Sequence, residues 1–563
     1  MSPTVTRHFA TVPSGRFGAR QVHYRRAGRG PCVLLLHQSP LSSRDVLPMI
    51  SRLQGRFTCI APDTPGYGLS DPFGPAEVEM DDVARAVVEF ADTIGVDRFA
   101  LYGFHTGAMI AVAVGRLYPD RVSCVAANGF LVPDEDLRAE LLARYLPEFR
   151  PSWDGSHLAW LWARLREQAI FFPWYRKDQA SRMNFDLPPP GSLQDSALDF
   201  LRAGDNYRVG YRAAFTFRGE EALADTRCPT LLTAADADPL AADLLRITAP
   251  SAAVRVTPGG GAPETLALCE GFLSRHPAPE PPPAPPTAPL AGRTWQQMVD
   301  VPGGQLRVRR NTDHAGRPVV VLHDAASSCD QVDPVARSFI GHRPVLAIDL
   351  PGHGESDDTL GEGGISVGGY AGVLRQVLDS LGVAACDVVG LGGGGLVGLE
   401  LALADTRVAR LVMAEPPCYP PALRGELKEE LAPSIEPVWH GGHLLQAWHL
   451  LRDQQLFWPW YRRSKAGILW HEPQVEPERI HARLVDLLKA SRTGRLACLA
   501  QLDYPVEERL ARLQQPVTLC APASSPQLEA LQEALRASAH CRHTVLPERI
   551  GEWAPAIRSF LDA

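Results

Sequence analysis

Short runs of Val, Ile, Leu and Ala punctuate the first half of the chain at Cys32–Leu36, Phe57–Ala61, Phe99–Tyr102, Val122–Ala126, Thr230–Thr233 and Ala253–Thr257. They are apolar at successive positions rather than alternate ones, the pattern of strands covered on both faces in a parallel sheet. Stretches such as "MDDVARAVVEFADTIG" lie between them with helical spacing of their apolar residues. Strands alternating with helices predict a doubly wound α/β arrangement with an inserted helical segment. No apolar run approaches the roughly 18 residues that would span a bilayer. The start of the chain, "MSPTVTRHFATVPSGRFGARQ", has no apolar signal core, so a cytoplasmic protein is expected.

The same pattern returns after a proline-rich stretch, "HPAPEPPPAPPTAPL". Such proline density favours extended polyproline II and reads as a semi-rigid linker at 276–290. The flanking halves repeat each other. "VLLLHQSPLSS" matches "VVVLHDAASSC", and "CIAPDTPGYGLSD" matches "VLAIDLPGHGESD". His37 pairs with His323 and Asp63 with Asp349 at one offset, which also aligns "PSWDGSHLAWLWARLREQAIFFPWYRK" with "PVWHGGHLLQAWHLLRDQQLFWPWYRR" without a gap. Two domains in tandem are expected, at 1–275 with an insertion near 135–225 and at 291–563 with one near 420–510.

Composition narrows the partners. A net charge of −8 argues against general nucleic-acid binding. Eleven cysteines without a CxxC pair read as reduced, mostly buried thiols rather than a disulfide framework or a zinc site. "GLGGGGLVG" mimics a dinucleotide fingerprint but falls at a turn of the repeat, and no other cofactor motif is present.

The turn "LYGFHTGAMIA" carries the chemistry. A buried strand runs into a helix through Gly-Phe-His-Thr-Gly. Together with "DTPGYGLSD", the strand ending in His37 and "CPTLLTAADADPL", it resembles the α/β-hydrolase family. The resemblance is to the cap-bearing branch of meta-cleavage-product hydrolases, epoxide hydrolases and haloalkane dehalogenases. It implies two α/β-hydrolase-fold domains, each with a mostly parallel sheet and an inserted cap. It places a nucleophile at the elbow, an acid after a later strand and a histidine after the last. In the first copy those positions hold His105, Asp238 and Ala262 or a neighbouring glycine, and no histidine occurs between His157 and His276. In the second copy they hold Gly392, Ser525 and, in "LPERIGEWAP", no histidine. A Ser-His-Asp mechanism is therefore not expected in either half.

His105 can instead merge the roles of nucleophile and base, oriented by Asp238, with oxyanion donors from the Thr106 N–H and from Gln38 or Ser39. The opposing reading is a decayed site that histidine merely fills. His37 is commonly structural in the family. The repeated cap motif supplies His157, Arg166, Trp174, Tyr175 and Arg176. Its aromatic and basic residues either pack the cap or roof the pocket, with an arginine for a carboxylate or phosphate. His157 and His443 are further candidates, should the site lie between the halves. The expectation is a cofactor-free enzyme that cleaves a small carbonyl compound by hydrolysis or C–C/C–X lyase chemistry. Contact between the halves, a possible homodimer and a degenerate second copy go with it. The alternative is a non-catalytic protein that binds a small ligand or partner.

Overall fold

The computed structural model describes residues 5–74, 77–419, 421–536 and 540–562. The chain divides into two compact units, Met1–Arg150 with Ala159–Ala288, and Pro151–Leu158 with Pro289–Ala563. Each contains one eight-stranded sheet.

In the first unit the strands are β1 (Thr6–Val12), β2 (Arg20–Ala27), β3 (Cys32–Leu36), β4 (Thr58–Pro62), β5 (Phe99–Phe104), β6 (Val122–Asn128), β7 (Thr230–Thr233) and β8 (Val254–Val256). Their order across the sheet is β1-β2-β4-β3-β5-β6-β7-β8, parallel from β4 onward. The apolar runs expected to be strands are strands, and every residue of β3, β4 and β6 is buried. Each large side chain they bury contributes about 1.5–3 kcal/mol.

β1 and β2 form an antiparallel hairpin that the apolar pattern does not announce. Their buried residues include Arg20, Gln21 and His23, which become tolerable inside only through partners elsewhere in the chain. Arg20 donates to Glu89 (2.5 Å), and His23 Nδ1 meets Asp63 Oδ2 at 2.8 Å.

The proline-rich stretch differs from the expected spacer. It is extended, but its residues through Ala288 belong to the first unit. Carbonyls that prolines leave free accept from that unit: Pro279 from the Cys32 N–H (3.0 Å) and Pro282 from Arg26 Nη2 (2.7 Å), while Thr287 donates to the Phe9 carbonyl. Prolines lack donors but keep acceptors, and these two are satisfied by the first unit.

The second unit repeats the plan with β9 (Trp295–Val301), β10 (Gly304–Asn311), β11 (Val319–Leu322), β12 (Val345–Ile348), β13 (Cys386–Leu391), β14 (Val408–Ala414), β15 (Val517–Pro522) and β16 (Cys541–Leu546). The order is β9-β10-β12-β11-β13-β14-β15-β16. In each unit helices are inserted between the sixth and seventh strands, at Glu135–Asp225 and Pro421–Arg512. No helix of the described residues is long and apolar enough to cross a membrane. All eleven cysteines are free, nine of them buried.

Candidate active site

The central strand β3 lies between β4 and β5, where the winding of the sheet reverses. Crevices at the carboxyl ends of strands around such a point are where open α/β sheets hold ligands. Three loops meet there, after β3, β5 and β7, and they carry Gln38–Ser39, His105–Thr106 and Asp238.

The elbow after β5 is sharp because the helix Thr106–Leu117 starts at once. His105 adopts φ 49°, a left-handed conformation that a non-glycine residue holds only when its surroundings impose it. Its N–H donates to the Asn128 carbonyl (2.9 Å), which fixes the turn to β6. A Cβ at Gly107 would lie 2.1 Å from the Leu36 carbonyl oxygen, so helix and strand approach this closely only with glycine there. The helix N-terminus directs its free N–H groups and positive potential toward the site.

His105 Nε2 lies 2.8 Å from Asp238 Oδ2. The other oxygen of Asp238 accepts the Leu240 N–H (2.8 Å), so the carboxylate is held from both sides. Burial pushes this carboxyl up, but the His105 hydrogen bond and charge and the Leu240 N–H outweigh burial and hold it below the ordinary aspartate range. The ring stacks on Phe104 with centroids 4.1 Å apart. Engaged at Nε2, the imidazole keeps Nδ1 without a hydrogen bond among the described residues, and the side chain stays 26% exposed, open to the cavity.

Room for this pair comes from Gly129, just after β6. A Cβ there would sit 2.3 Å from His105 Cδ2 and 3.3 Å from Asp238 Oδ2.

The cavity above has a volume of about 560 Å³ and is mostly apolar, lined by Phe104, Met109, Leu131, Phe172, Met183 and Phe215. Its polar lining is Gln38, Ser39, His105, Thr106, Tyr145, Gln168, Asp186, Tyr211 and Asp238.

The expected site residues divide cleanly. His105, Asp238, Gln38, Ser39 and Thr106 converge on the cavity. His37 does not. It is 1% exposed, Nδ1 meets the Gln38 carbonyl (2.9 Å) and Nε2 accepts the Thr64 N–H (2.9 Å), so both ring nitrogens staple loops together.

The cap candidates are also outside the lining. His157 accepts the Ser152 N–H at Nδ1 (3.0 Å), and burial lowers its pKa to about 4. Trp174 donates its indole N–H to the Tyr145 carbonyl (3.3 Å), Tyr175 carries Arg144 over its ring, and Arg176 pairs with Glu140 (3.0 Å at Nε). The second copy repeats these contacts with Trp460 to the Leu431 carbonyl, Arg462 to Glu426 and Val438 N–H to His443. In the first copy Trp174, Tyr175 and Arg176 thus hold the cap's own framework together.

Arg166 is likewise outside the lining, and the arginine behind the cavity is Arg164. It is 1% exposed, ringed by Tyr145, Trp160, Trp174, Phe200 and Tyr207 at 5.1–5.9 Å, and it donates to Gln168 (3.0 Å). Helical phase held the clue. Trp160, Arg164 and Gln168 are spaced by four and share a face, and Arg166 falls off it.

The second unit has a different arrangement at the equivalent place. Gly392 occupies the elbow with φ 55°. Asp324, following β11, fills the space: a Cβ on Gly392 would lie 2.5 Å from its Cγ. Asp324 Oδ1 accepts both the Gly393 N–H (2.7 Å) and the Ala325 N–H (2.8 Å). Glu415, at φ 50°, stands where the first unit has Gly129. Among the described residues no group of three or more His, Cys, Asp or Glu is placed to hold a metal ion.

The sheet order, the strand–elbow–helix turn and the helices inserted before the seventh strand define the α/β-hydrolase class. The chain belongs to that family in both halves. Residues 31–262 match the family described as "alpha/beta hydrolase fold" and residues 319–549 the one described as "Alpha/beta hydrolase family".

Among curated relatives, "Haloalkane dehalogenase 2" of Mycobacterium tuberculosis (strain CDC 1551 / Oshkosh) is 35% identical over 127 residues, 22% of this chain and 44% of that protein. "Bifunctional epoxide hydrolase 2" of Mus musculus is 29% identical over 153 residues, 26% of each chain. The chain thus spans less than half the length of these relatives. Epoxide Hydrolase A from Mycobacterium thermoresistibile is a similar solved structure, with TM-score 0.39 and 19% identity over 48% of this chain and 98% of that one. The enol-lactonase from Burkholderia xenovorans LB400 gives TM-score 0.37 and 19% identity over 47% of this chain and all of that one.

Proposed function

We propose that the first domain is a cofactor-independent enzyme that cleaves a small carbonyl compound, by hydrolysis or by C–C/C–X lyase chemistry, without a Ser-His-Asp triad. The observation that carries this is the His105–Asp238 pair, 2.8 Å apart at the elbow and opening onto the cavity.

With Nε2–H donated to the Asp238 carboxylate, Nδ1 carries the lone pair. It takes a proton from a water that attacks the carbonyl carbon, or from a substrate C–H, and becomes an imidazolium. Asp238 stabilises that cation as an anionic hydrogen-bond partner. The imidazolium then returns the proton to the leaving group.

Negative charge on the carbonyl oxygen falls to the Ser39 and Thr106 N–H groups, neither of which has a hydrogen bond among the described residues. Their counterparts in the second domain, Ala325 and Gly393, bind one carboxylate oxygen at 2.8 and 2.7 Å, which supports reading such a pair as an oxyanion hole. The mostly apolar cavity favours a compact, largely apolar substrate. In the second domain Asp324 occupies both the elbow space and the two amides, so we read that copy as inactive in this reaction.

The test is turnover of a panel of small esters, lactones, diketones and halides by wild type and His105→Ala. Turnover by wild type, reduced about 10²–10⁴-fold in the variant, is expected. Ligand binding without turnover, unaffected by His105→Ala, would overturn the reading in favour of a binding protein.

A further inference from the structure

The second domain has lost the family's reaction machinery but not its cavity. The space there is about 490 Å³ and its lining is much more polar than the first domain's. At the floor, Asp324 and Glu415 follow β11 and β14 and so lie at the same end of the sheet. Asp324 is exposed to the cavity and is anchored through one oxygen only. Burial pushes its carboxyl up, and burial with the neighbouring Asp324 charge does the same to Glu415. Two acids facing one cavity have no cation paired with them among the described residues.

Beside them is Gln501. It is 8% exposed and lines the cavity, and a Cβ on Gly393 would lie 1.8 Å from its amide nitrogen. Its side chain makes no hydrogen bond to another described residue. Its amide therefore faces the cavity open to a ligand.

The cap supplies the opposite charge. Arg479 and Arg483 stand one turn apart on the helix Pro477–Lys489, on the same face, and both line the cavity. Arg483 donates to Gln454 (2.8 Å). Neither arginine has an ion pair among the described residues, and burial lowers both guanidiniums. The acids and arginines share one cavity without closing on each other.

We propose that this cavity binds a small zwitterion, its ammonium end taken by Asp324, Glu415 and the Gln501 carbonyl, its carboxylate end by Arg479 and Arg483. An ammonium supplies donors to the second oxygen of Asp324, to the Glu415 carboxylate and to the amide oxygen. A carboxylate fits the planar fork of an arginine. The separation of the two charged ends sets which ligand length fits. The oxyanion amides are already used by Asp324, so the site binds without acyl transfer.

The experiment is isothermal titration of the full chain with glycine, L-alanine, 4-aminobutanoate and 5-aminopentanoate, with butylamine and butanoate as single-ended controls. The readout is heat of binding and is independent of turnover in the first domain. At least one zwitterion is expected to bind about tenfold or more tightly than both controls. Asp324→Asn and Arg483→Gln are each expected to weaken it by about tenfold or more. Near-UV circular dichroism verifies folding, and Arg479→Gln replaces either variant that fails it. Zwitterions that bind no better than the controls, or wild-type affinity in the folded variants, would overturn the proposal.

Discussion

At the first elbow a histidine projects into space that Gly129 leaves open. At the second, a glycine makes room for an aspartate arriving from the neighbouring loop, and the position of Gly129 holds Glu415. The bulk has changed places between the same two backbone positions, and in both domains those positions have positive φ. The backbone of the turn is therefore what the fold preserves, and the side chain on it is interchangeable only with a compensating vacancy nearby. The lesson is that a glycine at a nucleophile position is not by itself erosion. Gly392 is as necessary to Asp324 as Gly129 is to His105.

Gly129→Ala places a methyl 2.3 Å from His105 Cδ2 and removes a residue suited to φ 76°. Loss of turnover by about 10²-fold or more is expected, with about 1–3 kcal/mol of stability, measured by steady-state kinetics and urea denaturation.

In the second domain Asp486 is a buried acid. Burial and the Asp330 charge raise its carboxyl to about 7, while Ser328 and Gln331 donate to it (2.9 Å each). A folded-state value above the unfolded one means the folded protein binds the extra proton, so its cost appears as pH rises from about 4 to 7. Asp486→Asn is expected to flatten that decline, recovering up to about 4 kcal/mol above pH 7 in urea midpoints measured across pH.

Asp238 has the opposite sign. Its folded-state value is depressed, so its contribution is present above about pH 4 and is lost as pH falls through the folded value. Asp238→Asn is expected to remove that acid-side dependence of the urea midpoint and to lower turnover about 10²-fold by releasing His105.

The smallest effect is expected at Arg176. Its pair with Glu140 is partly exposed and outside the cavity. Arg176→Ala should leave turnover unchanged and cost less than about 1 kcal/mol by denaturation.

Much of this was legible in the letters, for physical reasons. Strands β3 to β7 are apolar on both faces and stand out without help from their neighbours. The β1–β2 hairpin does not, because Arg20 and His23 are made inside residues by Glu89 and Asp63, far away in sequence. His105 and Asp238 were readable because each sits in a loop whose place in the fold the repeat defines. The tryptophans and arginines of the cap motif drew attention by their chemistry, yet their neighbours decide their work, and Arg176 is spent on Glu140. Gly129 left no signal, since its contribution is empty space. Asp324 and Glu415 are not legible from the family's catalytic positions, because neither stands at one and each takes its place only from the shape of the turn.

The central claim is that His105 is held as a base, with Nε2–H donated to Asp238 and Nδ1 free toward the cavity. Nitrogen-15 chemical shifts of the His105 ring, observed in its neutral form in wild type and in Asp238→Asn, test it most directly. A protonated Nε2 and an unprotonated Nδ1 in wild type, with that preference weakened in the variant, is the result predicted. A proton on Nδ1 in the wild-type protein would contradict it.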